Sequence, residues 1–166
     1  MPSAGSLKDI YIEEIRDLWS ANDQMQRIMH NMSQKAADKK LKDLLDRSVE
    51  GIAKHSETLR SVLESQGGRV AKEHCKGMEG LLAEAKKHAI DADVEDSLRD
   101  LVIISQYQRM SHYGLAGFGT AAAYAAALGE KNDAGKLSAI VKDIYKADEY
   151  TTQLAERAEK AAAKTG

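Results

Sequence analysis

Five side chains with hydrogen-bonding or metal-binding groups occupy positions where the helical pattern of the sequence expects apolar residues. They are Asn22, Ser48, His55, His112 and Asp148, each near the middle of a long periodic segment. Leaving a buried polar group without a partner costs about 1–3 kcal/mol, so we expect these side chains to partner one another or to hold an ion. Imidazole and carboxylate groups are suitable ligands for iron, manganese or zinc.

A metal site built from this set would take His55, His112 and Asp148 as ligands, with Glu14 as a fourth candidate. Iron or manganese held there could change oxidation state and react with dioxygen or peroxide while the surrounding helices exclude water. The alternative is structural, because a histidine on an apolar face is more often a hydrogen-bonded core residue. The chain contains no Glu-x-x-His, the pair that di-iron bundles place on two helices. Both interpretations stay open on these residues.

The elements that position these side chains are helices. The only proline is Pro2 and aromatic residues make up 5% of the chain, so few residues favour strands or interrupt helices. Ala, Leu, Lys, Glu and Gln dominate, and all are good helix formers. We therefore predict an all-α fold, and 166 residues suit one domain with a sizeable core.

Four long helices and a short one follow from the spacing of the apolar residues. The long helices are predicted at 7–33, 39–66, 94–128 and 134–162, and the short one ends near residue 88 within the connection 69–92. Ser6 and Asp38 are the expected N-caps of the first two helices, and Asn132 or Asp133 is that of the last. Only the link between the second and third long helices is long. This connectivity predicts a ferritin-like four-helix bundle with one crossover, a single domain over 1–166 with its core at about 7–162.

The third long helix is rich in small residues. Gly114, Gly117 and Gly119 lie in its interior and are followed by six alanines within 121–127. Each interior glycine costs about 1 kcal/mol relative to alanine, which predicts the close approach of another helix. The Gly and Ala surface at 114–127 is also a candidate dimer seam.

The composition of the chain indicates which kinds of partner and which cellular compartment to expect. A net charge of −2 leaves no basic surplus for phosphates, so we expect no nucleic acid. No apolar run is long enough to span a membrane, so no membrane association is expected either. The first residues lack the pattern of a secretory signal, and Cys75, the only cysteine, cannot form a disulfide within the chain; both observations favour the cytoplasm. Cys75 itself is expected to be structural. The interior glycines follow a helical pattern rather than a phosphate loop, and no organic cofactor is expected.

Several short segments match a known family. They are Glu14-Ile15-Arg16-Asp17-Leu18 with Ser20-Ala21 and Gln24, Cys75 with Met78-Glu79-Gly80-Leu81, His112-Tyr113, Phe118-Gly119-Thr120, Leu128-Gly129 and Asp148. On these residues, across about 7–158, the chain resembles the YciE/YciF family of bacterial ferritin-like proteins. The resemblance implies a rubrerythrin-related bundle, a homodimer and a link to stress responses. It also implies inward carboxylates suited to a di-metal site.

The chain departs from that carboxylate pattern on most of its long helices. The departures are Asn22, Gly51, Ser111, Gly114 and Asp143-Ile144, where the family usually has Glu, and His55, where it has Gln. Two functional hypotheses follow. The first is a stress-response protein that binds iron or manganese, with oxidase or peroxide-related chemistry. The second is a non-enzymatic structural or interaction bundle that has lost the di-metal site.

Overall fold

The computed structural model describes residues 4–165, which contain helices and no β-strand. The helices are α1 (Leu7–Lys35), α2 (Lys39–Ser65), α3 (Lys76–Ala85), α4 (Asp96–Ala127) and α5 (Lys131–Ala163), and a π-helical turn (Lys86–Asp91) extends α3. The all-α prediction is confirmed, with boundaries within about three residues of those expected for the long helices. No described helix is long and apolar enough to cross a bilayer.

Local hydrogen bonds explain where the helices begin. Ser6 Oγ accepts from the backbone N–H of Asp9, and the Asp38 carboxylate accepts from that of Leu41, so both predicted N-caps are confirmed. The N-cap predicted for the last long helix is wrong, since α5 begins at Lys131. Asp133 lies inside that helix, where its buried carboxylate accepts hydrogen bonds from two other elements of the bundle.

The four long helices form a bundle in which α1 packs against α2 and α4 packs against α5. The pairs join through contacts of α1 with α4 and of α2 with α5, so α2 and α4 lie on a diagonal. The chain must therefore cross the bundle between α2 and α4, and it does so through α3, which packs on α1 and α4. This is the predicted ferritin-like connectivity.

Side chains of α1 hold this crossing segment. Ser20 Oγ accepts from the backbone N–H of Cys75, and Gln24 Nε2 donates to the Cys75 carbonyl oxygen, each at 3.1 Å. Cys75 Sγ accepts from the backbone N–H of Met78 and so caps α3. Burial raises the pKa of the Cys75 thiol, which disfavours the nucleophilic thiolate and agrees with a structural role.

Buried apolar side chains form two clusters, one toward each end of the bundle. The cluster beside the α1–α2 link includes Met32, Leu41 and Ile103. The cluster at the opposite end includes Tyr11 and Leu137. The level between these clusters, at the middle of the long helices, holds the polar residues that the sequence places on inward faces.

Candidate functional site: a cavity at the centre of the bundle

A cavity of about 580 Å³, here called the central cavity, lies at this middle level. Residues of α1, α2, α4 and α5 line it, so every long helix contributes. Its apolar wall includes Met25, Met29, Ile52, Phe118 and Ile144. Methionine side chains are flexible and polarizable, which lets such a wall adapt to the shape of what it encloses.

Asn22 is the most buried polar side chain of the cavity wall, with 1% of its surface exposed. Its Nδ2 has no hydrogen-bond partner among the described residues. An unpaired buried amide destabilises the fold by about 1–3 kcal/mol, so a partner for this group would stabilise the protein. The nearby Ser48 and Tyr107 hydroxyls are satisfied, since they bond each other at 3.0 Å.

His55 forms the side of the cavity next to α5. Its Nε2 lies 3.3 Å from Asp143 Oδ2, and its ring meets the edge of the Phe118 ring with centroids 6.1 Å apart. Burial lowers the pKa of His55, and the hydrogen bond to Asp143 partly opposes this shift. The environment therefore favours the neutral imidazole at neutral pH.

The cavity opens to solvent between α2 and α5 through exposed charged residues, here called the mouth. The mouth consists of Arg47 and Lys54 on α2 and Asp143 and Lys146 on α5. The Arg47 guanidinium lies 5.9 Å from the centroid of the Tyr150 ring, which borders the same opening. Three cations face one carboxylate, so with His55 neutral the mouth favours an anion.

The structure brings together only part of the predicted polar set. Asn22, Ser48 and His55 converge on the central cavity, whereas His112 and Asp148 do not line it. His112 Nε2 instead bonds Asp148 Oδ1 at 3.1 Å, with 59% of the His112 side chain exposed. The expectation that His112 faces the core is wrong because its neighbour on α4, Ser111, takes the inward position, and one residue turns a helix by about 100°.

Glu14 lies apart from the cavity. It sits two turns before Asn22 on α1, where its carboxylate approaches Gly117 of α4. Burial, followed by the charge of Asp17, raises the pKa of Glu14. The predicted convergence of Glu14, His55, His112 and Asp148 is therefore not found.

The residues present do not fit a di-metal centre. Within residues 4–165, no three His, Cys, Asp or Glu side chains are grouped as metal ligands would be. Of the four predicted ligands, His112 and Asp148 pair with each other, His55 pairs with Asp143 instead, and Glu14 belongs to neither pair. A pair leaves most positions of a metal's coordination sphere unfilled. Binding of iron or manganese by this chain stays a prediction.

Comparison with known proteins places the chain among ferritin-like bundles. Residues 6–164 match the model of a family described as a domain of unknown function, DUF892. The protein YciF of Escherichia coli K12 is 27% identical over 151 residues, which cover 90% of each chain. The chain belongs to the YciE/YciF family.

Solved structures of relatives agree with this assignment. The crystal structure of YciF, described as an E. coli stress protein, matches with a TM-score of 0.90 and 26% identity. That match covers 95% of this chain and 99% of YciF. YcfI of Rhodopseudomonas palustris matches with a TM-score of 0.86 over 91% of this chain and 96% of its own, and at 23% identity it supports the fold alone.

The family assignment allows the residues that line the central cavity to be compared with the expected carboxylates. Each position at which the chain departs from the family's carboxylate pattern lines this cavity: Asn22, Gly51, His55, Ser111, Gly114, Asp143 and Ile144. Most of the replacements are smaller than glutamate, and two have no side chain. A Cβ at Gly51 would meet nothing within 4 Å, so the space is open there. The cavity therefore lies where the resemblance implies inward carboxylates.

Proposed function

We propose that this protein is a non-enzymatic structural or interaction bundle of the YciE/YciF family that has lost the di-metal site. The observation that carries the proposal is the central cavity, which is lined by Asn22, Ser48, Gly51, Ser111 and Gly114 where a bundle metal centre would draw its ligands from facing helices. Since residues 4–165 hold no cluster of metal ligands, we propose that the bundle acts by binding and assembly. We further propose a stress-related role in the cytoplasm, in line with the description of E. coli YciF as a stress protein.

Metal content tests the loss of the di-metal site. We expect untagged protein from cells grown with added iron and manganese to carry less than about one metal ion per ten chains, because two-ligand pairs bind these ions weakly. Elemental analysis by inductively coupled plasma mass spectrometry measures this ratio. The dialysed protein should also fail to accelerate the consumption of hydrogen peroxide when either metal is added.

The competing hypothesis, iron or manganese chemistry, makes the opposite prediction. It expects about one or more ions per chain, and a fall in that content in His112→Ala and Asp148→Ala. Glu79→Ala serves as the control because Glu79, an exposed residue of α3, pairs only with the exposed imidazole of His74 just before that helix among the described contacts. A stoichiometric metal that depends on His112 and Asp148, but not on Glu79, would contradict our proposal.

Assembly is the second part of the proposal, and we place a homodimer seam on the small-residue face of α4 and α5. This face is a shallow groove lined by Gly119, Ala122, Ala123 and Ala126 of α4 and by Gly135, Ser138 and Tyr145 of α5, among others. Tyr145 borders this groove with 59% of its surface exposed. Small residues let a second pair of helices approach closely, and Tyr145 would be covered in the dimer.

Ala126→Leu tests this seam. Ala126 is exposed on α4, so a larger side chain there leaves the fold of one chain unaffected and obstructs only a partner that packs on it. We expect the wild type to have twice the mass of the chain by multi-angle light scattering, and Ala126→Leu to have the mass of one chain at the same concentration. Ala83→Leu, at an exposed position of α3, should stay dimeric. An unchanged mass for Ala126→Leu would remove the seam from this face.

A further inference from the structure

We infer that the central cavity is a binding site for a small amphipathic carboxylate, an oxygenated fatty acid whose chain fills the interior while its carboxylate lies at the mouth. The inference rests on the proposed function, since it takes the centre of the bundle to be free of metal. Three features of the cavity wall define this ligand: its volume and apolar lining, the charge of the mouth, and the unpaired amide of Asn22.

The volume and lining correspond to a ligand of modest size. Pockets for small molecules have volumes of about 300–1,000 Å³ and are mostly apolar with a few polar groups, and the central cavity has both properties at about 580 Å³. Met25, Met29 and Phe118 supply flexible and aromatic surface for an alkyl chain. Because the cavity is open at the mouth, an alkyl chain can enter it and remove its apolar wall from water.

The mouth selects the charge of the head group. Arg47, Lys54 and Lys146 border it, and the carboxylate of Asp143 is already engaged by His55. A carboxylate at this position would gain from the three cations and stay partly hydrated, which avoids the desolvation of a fully buried charge. A cationic amphiphile would be repelled there.

Asn22 adds a requirement for oxygen on the chain. Its Nδ2 is a hydrogen-bond donor with no partner among the described residues, in a wall that carries the Ser48 and Ser111 hydroxyls among its apolar side chains. Nδ2 has less than 1 Å² of accessible surface, so the amide must turn toward the cavity before a hydroxyl or keto oxygen on the chain can accept from it. A purely hydrocarbon chain would leave this donor unpaired. The geometry therefore favours a hydroxy or oxo acid over the plain fatty acid.

Isothermal titration calorimetry with matched ligands tests the chemical class. The probes are decanoate, dodecanoate and their ω-hydroxy derivatives, with decanol and decylamine as neutral and cationic controls. We expect Kd values in the micromolar range for the acids, at least about tenfold weaker binding of decanol, and no binding of decylamine. In at least one of the two pairs, the hydroxy acid should bind more tightly than its parent acid.

Variants locate the site. Gly51→Leu adds a side chain at a position of the cavity wall where a Cβ meets nothing within 4 Å, and it should weaken binding of the acids by at least about tenfold. Gly80→Leu, at an exposed position of α3 where a Cβ also meets nothing within 4 Å, should bind as the wild type does. Asn22→Leu should remove the advantage of the hydroxy acid over its parent while the protein stays folded, since leucine has a similar volume and needs no hydrogen bond.

Several results would overturn the inference. They are the absence of binding by all four acids, equal affinities for decanoate and decylamine, an unchanged affinity in Gly51→Leu, and no hydroxy acid that gains over its parent in the wild type. These failures differ from failure of the proposed function, because a metal-loaded protein would contradict that function, whereas a metal-free protein that binds none of the acids would contradict only the ligand.

Discussion

Replacing Asp100 with alanine is expected to lower the free energy of unfolding by about 3 kcal/mol, among the largest effects of any single side chain in this protein. Asp100 is a buried residue of α4, and its two carboxylate oxygens accept from the backbone N–H groups of Ala37 at 2.9 Å and Asp38 at 2.8 Å. These bonds join the start of α4 to the link between α1 and α2. The variant would leave two backbone donors without partners and would also lose the charge assistance of both bonds.

Urea denaturation followed by circular dichroism measures this loss, with an unchanged slope indicating that both proteins unfold in the same way. Asp100→Asn should recover about half of the stability, because one of its two side-chain oxygens remains. Asp96→Ala is the matched control, an exposed acid in the first turn of the same helix that should cost less than about 1 kcal/mol. A loss at Asp100 no larger than that at Asp96 would show that the link contributes little to the fold.

The arrangement of the helices could be predicted because the spacing of the apolar residues along the chain directly reflects the buried face of each helix. The stripes that run from Tyr11 to Met32 and from Leu41 to Val62 are buried almost throughout, as their spacing of three and four residues predicts. Leu7 is the exception, since it is 36% exposed at the first turn of α1, where the bundle ends. The long segment between α2 and α4 likewise required a crossover.

The candidate site was less predictable because the direction of a side chain depends on the exact rotation of its helix. Periodicity defines an inward face only to within about one residue, or 100°. Ser111 and His112 are adjacent, and the choice between them decides whether an imidazole or a hydroxyl meets the cavity. The sequence could not make that choice, because α4 has small or apolar residues on most of its surface and so has a weakly defined inward face.

The central cavity was harder still to predict from the sequence, because a cavity forms where side chains are small or missing and such positions have no pattern of their own. Gly51 and Gly114 are departures from the carboxylates that the resemblance implies, but their effect depends on how closely α2, α4 and α5 pack together. The lysines of the mouth, Lys54 and Lys146, look like ordinary solvated charges in the sequence. They acquire a shared role only when α2 and α5 place them at one opening.

Gly117 and Gly119 are expected to respond to the same substitution with opposite signs. A Cβ at Gly117 would lie 2.5 Å from Leu18 Cδ2 and 3.2 Å from Glu14 Oε1, so α1 approaches α4 there as closely as a glycine allows. Leu18 is 1% exposed and cannot move without disturbing the core, so Gly117→Ala should lower the free energy of unfolding by about 2 kcal/mol. Gly119 lies in the proposed seam, and within one chain a Cβ there would meet nothing within 4 Å. In the monomeric Ala126→Leu background, Gly119→Ala should therefore raise the free energy of unfolding by up to about 1 kcal/mol through helix propensity.

A double-mutant cycle with Leu18 assigns the cause of the loss at Gly117. Leu18→Ala alone should cost about 2–5 kcal/mol because it opens space in a packed cluster. In that background the added methyl group at Gly117 enters free space, so Gly117→Ala should cost nothing further. The free energies of unfolding of these variants and of Gly119→Ala are measured at one protein concentration. Additive losses from Leu18→Ala and Gly117→Ala would mean that the glycine is needed for some reason other than the approach of α1. Opposite signs at the two glycines, together with full coupling to Leu18, would show that one close contact between α1 and α4 explains why the helix tolerates a glycine at this position.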